Sequence, residues 1–271
     1  MTAAPTHPQA ESPATVAQWR ALFPILAQRI HGQELAYLDN AATTQTPLAV
    51  QQAQLDFERQ DRANIHRGVH TLSQRATDAF EAARATLHRF IGAGAAHELV
   101  FTSGTTEALN MVAFGLWGGG PGHAWLRPGD RIISTALEHH ANLVPWQHAA
   151  RMSGAELVVL RPDAQGRLSE ADLAAHLTPN TRVLALTACA NATGERPPFE
   201  AMLTLARQAG ALTVLDAAQA VAHDTVLITY DDNGRETECA TSLGYLGNTL
   251  NAYESVLKLE VAGAYFLYVG I

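Results

Sequence analysis

Between residues 98 and 216 short apolar runs alternate with longer amphipathic segments, and this rhythm narrows the fold more than any other feature of the chain. The runs at 98–102, 131–135, 156–160, 183–187 and 212–215 are rich in Val, Ile and Leu and too short for helices. Between them, apolar residues at helical spacing follow Ser103-Gly104-Thr105-Thr106 through Ala113 and recur over 143–151, from the cap Ser169 to about Leu177, and over 199–208. Strands and helices in this order predict a doubly wound α/β domain with a largely parallel sheet. Hydrophobic residues make up 47% of the 271 and charged ones 16%, which supplies a sizeable core and gives no case for disorder.

Upstream, Ser12 as N-cap and Pro13 at the first helical position predict a helix to about Ile30, with Val16, Trp19, Leu22, Phe23 and Leu26 on one face. Residues 35–38 read as a short strand, 39–44 as a polar turn, and Pro47 opens a second helix. A third helix is expected over 74–90, closed by Gly92. The rhythm breaks after about Val226. Residues 230–247 are polar and aperiodic, and 261–271 form an apolar, strand-like run that normally needs a covering partner, so the chain reads as cut short. The expected division is a flexible segment 1–13, a ligand-binding α/β domain 14–226 and a divergent end 227–271.

A net charge of −8, without any basic stripe, argues against nucleic acid as a partner. No run is long enough to cross a bilayer and no secretory signal precedes the first helix, so a cytoplasmic protein is expected. Cys189 and Cys239 lie in no ligand-like spacing, so neither a metal site nor a disulfide is expected.

Three features carry chemistry. The strand, glycine turn and helix around residues 103–106 place successive N–H groups, the Thr105 and Thr106 hydroxyls and a helix dipole where a phosphate could sit, although a plain helix cap fits too. Asp216 ends an apolar strand, where α/β sheets bind ligands; a carboxylate there could hold a protonated ring nitrogen or simply cap a turn. Adjacent His139 and His140 cannot share one tetrahedral metal, but one ring could lie flat on a bound aromatic ring. The chain has one lysine, Lys258, so apart from the α-amine only this residue could supply an amine for a Schiff base. Its apolar neighbours suit a desolvated amine or a surface lysine equally.

Taken in order, the segments 37–44, 64–73, 101–110, 138–146 and 216–221 resemble the class V aminotransferases, and within them the cysteine desulfurase and selenocysteine lyase branch. The resemblance covers about residues 12–225. It implies the large domain of the type I fold of pyridoxal 5'-phosphate enzymes, with Thr105, Thr106 and neighbouring N–H groups on the cofactor phosphate. It further implies that His139 stacks on the pyridine ring, Asp216 pairs with the ring nitrogen, Gln219 meets the phenolic oxygen, and Asn191 contacts the substrate carboxylate or the cofactor edge. The implied partners are L-cysteine, a second copy in a homodimer and a sulfur-acceptor protein, and the implied setting is iron-sulfur cluster assembly. The implied products are L-alanine and an enzyme persulfide.

The departures are specific. The family places its Schiff-base lysine where Ser242 stands here, and Lys258 lies farther along the chain. The smaller C-terminal domain, with its loop cysteine and substrate-gripping arginine, is not recognisable, and neither Cys189 nor Cys239 matches the loop position. Ala190 replaces the serine usual before Asn191. Two other functions therefore stay open: a lyase or transaminase of the same fold, and a non-catalytic remnant acting as a binding or structural protein.

Overall fold

The computed structural model describes residues 15–91, 97–118 and 125–221 and, in backbone course, the strand segments 240–243, 256–261 and 264–270. The N-terminus departs from the expected long helix. α1 covers only Val16–Ala21, capped by Thr15 in a capping box with Gln18. Pro24 has no N–H to continue it and instead begins a 3-10 turn, Pro24–Ala27. The strand expected at 35–38 is absent. A small antiparallel hairpin precedes it, β1 (Arg29–Ile30) and β2 (Gln33–Glu34). His31 and Gly32 both take positive φ there (50° and 78°), the requirement of a tight two-residue hairpin turn.

α2 (Leu48–Gln60) starts after Pro47, as expected, and α3 (Thr71–Phe90) begins three residues early because His70 caps it by accepting from the Ser73 N–H. Then follow β3 (His97–Thr102), α4 (Thr105–Trp117), β4 (Arg131–Thr135), α5 (Val144–Ser153), β5 (Glu156–Leu160), α6 (Glu170–Ala174), β6 (Thr181–Thr187), α7 (Phe199–Gln208) and β7 (Leu212–Ala217). β8 (Ala240–Leu243), β9 (Val256–Val261) and β10 (Ala264–Gly270) complete the series. β8 falls inside the stretch that reads as aperiodic, whereas β10 meets the expectation of a strand.

One sheet runs β5-β4-β6-β7-β8, parallel throughout. A second runs β3-β10-β9, with β10 parallel to β3 and antiparallel to β9. The apolar, strand-like end is therefore paired on both sides.

Strands β4 to β7 divide their side chains between two cores, as a two-residue period requires. Ile132, Val183, Ala185, Leu212 and Val214 face α4 and α5, packing on Leu109, Val112, Trp146 and Ala149. Ile133, Leu184, Leu186 and Leu215 face α6 and α7, packing on Leu173, Met202, Leu203 and Ala206. With both faces covered, β6 is apolar from Val183 to Leu186, its polar residues lying at its two ends. Leu184 is fully enclosed. Leu184→Ala is expected to cost about 2–5 kcal/mol by opening a cavity between β6 and α7, measurable as a lowered urea midpoint at unchanged slope.

Candidate functional site

The polar residues of the sheet gather where its strands end. Leu212 and Val214 point to the α4 side and Leu215 and Ala217 to the other, so alternation puts Asp216 on the α4 side. Asp216 is only 4% exposed, and its Oδ1 accepts from the Ala218 N–H at 2.9 Å. In register it lies between Thr187 of β6 and Ser242 of β8. The position at which the family's lysine was expected is thus beside Asp216 in the sheet, and serine occupies it.

α4 covers the same face and also touches the 3-10 turn His140–Asn142 that follows β4. Its N-cap is Gly104, with φ 152° and no capping side chain. The Glu107 carboxylate instead turns back to accept from the Ser103 N–H at 2.6 Å. The Ser103 hydroxyl, and then this N–H, hold Glu107 below the usual carboxylate range. The first-turn amides of Thr105 and Thr106 keep the open, donor-rich geometry that suits an anion.

His139 is exposed, and its Nδ1 accepts from the Ala141 N–H at 3.2 Å, which fixes the ring's plane and leaves the ring accessible. Gln219 is half-buried, and its Nε2 donates to the Ala41 carbonyl at 2.9 Å, drawing the 39–44 turn onto the end of β7. Asn191 is half-buried at the head of a loop closed by the Ala190 N–H on Glu195 O and the Gly194 N–H on Ala190 O, both 2.8 Å. Lys258 sits in β9, opposite Leu267 of β10, and β9 lies against β7 and β8. Cys189 is buried as a free thiol, and Cys239 lies outside the described residues. Among the described residues no group of three or more His, Cys, Asp or Glu could hold a metal ion, and no helix is long and apolar enough to cross a membrane.

The residue that sequence reasoning missed is Glu138. It appears there only as the head of a histidine-containing motif, yet its carboxyl is the centre of a polar knot. Oε1 accepts from the Thr135 hydroxyl at 2.7 Å and the Thr187 N–H at 2.9 Å, and Oε2 accepts from Asn142 Nδ2 at 2.6 Å. Asn142 Oδ1 accepts in turn from the enclosed Trp146 indole at 3.0 Å. Glu138, Asn142 and Trp146 recur every fourth residue, a spacing that could have flagged the knot. Part of Glu138 stays accessible, but burial of its carboxyl pushes the pKa up to about 8, the hydrogen bonds from Thr135 and Asn142 working against the shift and the nearby Asp216 adding to it.

The groups on this face are an open helix start, an enclosed carboxylate and, at the head of the turn that α4 touches, a fixed, accessible imidazole. In chemistry, this donor and acceptor set fits a phosphorylated, cationic heterocycle.

The family described as aminotransferase class-V matches residues 36–229, and this chain belongs to that family. Its similarity runs to the cysteine desulfurase branch. A cysteine desulfurase of Pectobacterium carotovorum is 44% identical over 207 residues, covering 76% of this chain and 50% of the relative. One from Klebsiella pneumoniae is 39% identical over 263 residues, covering 95% of this chain and 64% of the relative. The solved apo cysteine desulfurase of Thermococcus onnurineus superposes with a TM-score of 0.71 at 36% identity, covering 80% of this chain and 51% of that one. The chain thus spans about half the length of most such relatives. The fold is that of the large domain of class V pyridoxal-phosphate enzymes.

The raised Glu138 pKa has a defined sign. The folded state holds this proton more tightly than the unfolded chain, so the group's contribution is complete below about 4.5 and is lost as pH rises through about 8. Stability of the apo protein is expected to fall across that window by up to ~1.4 kcal/mol per pH unit. Urea titrations of wild type and Glu138→Gln at several pH values check this, the variant showing the shallower slope.

Proposed function

We propose that residues 14–226 form the cofactor-binding domain of a pyridoxal 5'-phosphate enzyme that takes sulfur from L-cysteine. One observation carries the reading: the enclosed Asp216 carboxylate projects from the sheet face that α4 covers, and the N-terminus of α4 is open for an anion. Family membership and desulfurase relatives support the same chemistry.

In this reading Thr105, Thr106 and their amides bind the phosphate, using the helix dipole and charge-assisted hydrogen bonds. Asp216 holds a proton on the ring nitrogen, because an enclosed carboxylate strongly favours a cationic partner over separation. His139 lies on the ring face. Gln219 has one amide hydrogen on Ala41 and offers the other to the phenolic oxygen. Asn191 orients the substrate carboxylate or the cofactor edge. When bound, the cofactor supplies the electron sink that lets a bond at the substrate α-carbon break. Lys258, the single lysine, supplies the anchoring amine, since Ser242 has none to offer. A homodimer, a sulfur-acceptor protein, a cytoplasmic location and a role in iron-sulfur cluster assembly belong to the same reading.

Pyridoxal 5'-phosphate titrated into the protein tests it by equilibrium dialysis and visible absorbance. Wild type is expected to retain the cofactor and develop a visible band. Lys258→Ala is expected to lose the band, and Asp216→Ala to weaken retention by about tenfold or more, the loss of a charge-assisted contact. Absence of any retention by wild type refutes the proposal. Release of alanine and sulfide from L-cysteine separates desulfurase from other lyase or transaminase chemistry.

A further inference from the structure

Glu138 is joined to its surroundings by hydrogen bonds whose directions are fixed at both ends. An indole nitrogen can only donate, so the Trp146 contact forces Asn142 to present Oδ1 to it. The Asn142 amide nitrogen must then face Glu138, where it can only donate to Oε2. A backbone N–H can only donate, so Thr187 makes the same demand on Oε1. Both oxygens of Glu138 are therefore obligatory acceptors. The Thr135 hydroxyl is the one partner able to reverse, because its oxygen already accepts the Leu137 N–H at 3.1 Å and can take or give a proton towards Oε1.

The partners belong to three places: the end of β4, the 3-10 turn leading into α5, and the end of β6. His139 follows Glu138 directly in the chain, and Thr187 is the register neighbour of Asp216. We propose that Glu138 is a positioning residue whose two acceptor oxygens clasp the His139 turn to the end of β6, setting the gap between the His139 ring and the Asp216 carboxylate. The significance of that gap for a cofactor rests on the function proposed above; the clasp itself does not.

An amide cannot substitute for the carboxyl, although it has the same shape. Glu138→Gln must aim its NH2 group either at the Thr187 N–H or at the Asn142 amide, and each choice sets donor against donor. Asn142→Asp errs the other way, facing one carboxyl oxygen with another once both groups are ionised, so the comparison is made above pH 8. The two changes together restore every pairing: the Trp146 indole donates to Asp at 142, Gln at 138 donates to its second oxygen, and the remaining Gln oxygen accepts from Thr187 and Thr135. The single carboxyl group is kept, having moved by four residues.

The test compares wild type, E138Q, N142D and E138Q/N142D in the apo state by thermal melting and by hydrogen exchange of the Trp146 indole N–H. Retention of pyridoxal 5'-phosphate is then measured well below each melting point. E138Q and N142D are each expected to exchange the indole proton and to lose cofactor affinity by about tenfold, the scale of one buried unsatisfied donor or acceptor. The double variant is expected to recover both to within about threefold, with a melting point above either single variant. A double variant as impaired as the worse single one overturns the clasp. Faster indole exchange in E138Q with unchanged cofactor affinity makes Glu138 a scaffold residue and overturns its positioning role. If E138Q does not fold, N142D and the double variant decide between the same outcomes. If wild type itself binds no pyridoxal 5'-phosphate, the proposed function fails, while exchange and melting still judge the clasp.

Discussion

Two carboxyl groups, Asp216 at the end of β7 and Glu138 just past β4, lie on either side of the end of β6 and are largely withdrawn from water, and much of the local architecture answers to that. Moving an ionised carboxylate into a protein interior costs several kcal/mol unless donors or a cation compensate. Asp216 is met by the N–H of Ala218, and Glu138 by two side chains and a backbone amide. Each raises the cost of ionising the other, which is why Asp216 contributes to the upward shift of Glu138. A cationic ligand placed against Asp216 relieves both at once. Cation binding and proton release from Glu138 are therefore linked by the same electrostatics that make the enclosure costly.

Legibility in the sequence followed the physics of burial. β4, β5 and α7 were readable to the residue because parallel strands covered on both faces are continuous apolar runs and their helices repeat cleanly. The N-terminus misled because the face Val16, Trp19, Leu22, Phe23, Leu26 keeps helical spacing across Pro24, where the missing N–H ends the helix regardless of pattern. β9 was overlooked although Leu257, Leu259 and Val261 alternate with Lys258 and Glu260, the ordinary signature of a strand with one apolar face. β8 gave almost no signal, since Ala-Thr-Ser-Leu has no strong preference and depends on its pairing with β7.

For the site, single residues were legible where a motif surrounded them. Asp216 and Thr105 could be placed because a strand end and a helix start are recognisable from the chain alone. Glu138 was not, because its role depends on Thr187, which lies far along the sequence and meets it only when β4 and β6 pair. The Ser242 position shows the complementary case: the family resemblance singles it out by its distance along the chain from Asp216, and only the register sets the two side by side in the sheet. In the function proposed above the amine comes from a different strand, β9.

The contact between Gln219 and Ala41 has a wider reach than its single hydrogen bond suggests. It joins residues 178 positions apart, at the edge of the crevice on one side and in an exposed turn on the other. A hydrogen bond of this kind contributes about 0.5–1.5 kcal/mol. The amide's second hydrogen can be drawn inward while the first stays on the Ala41 carbonyl, so one side chain serves the sheet edge and the exposed turn together. Fraying at the front of the chain and events inside the sheet edge are thus coupled through the orientation of a single amide.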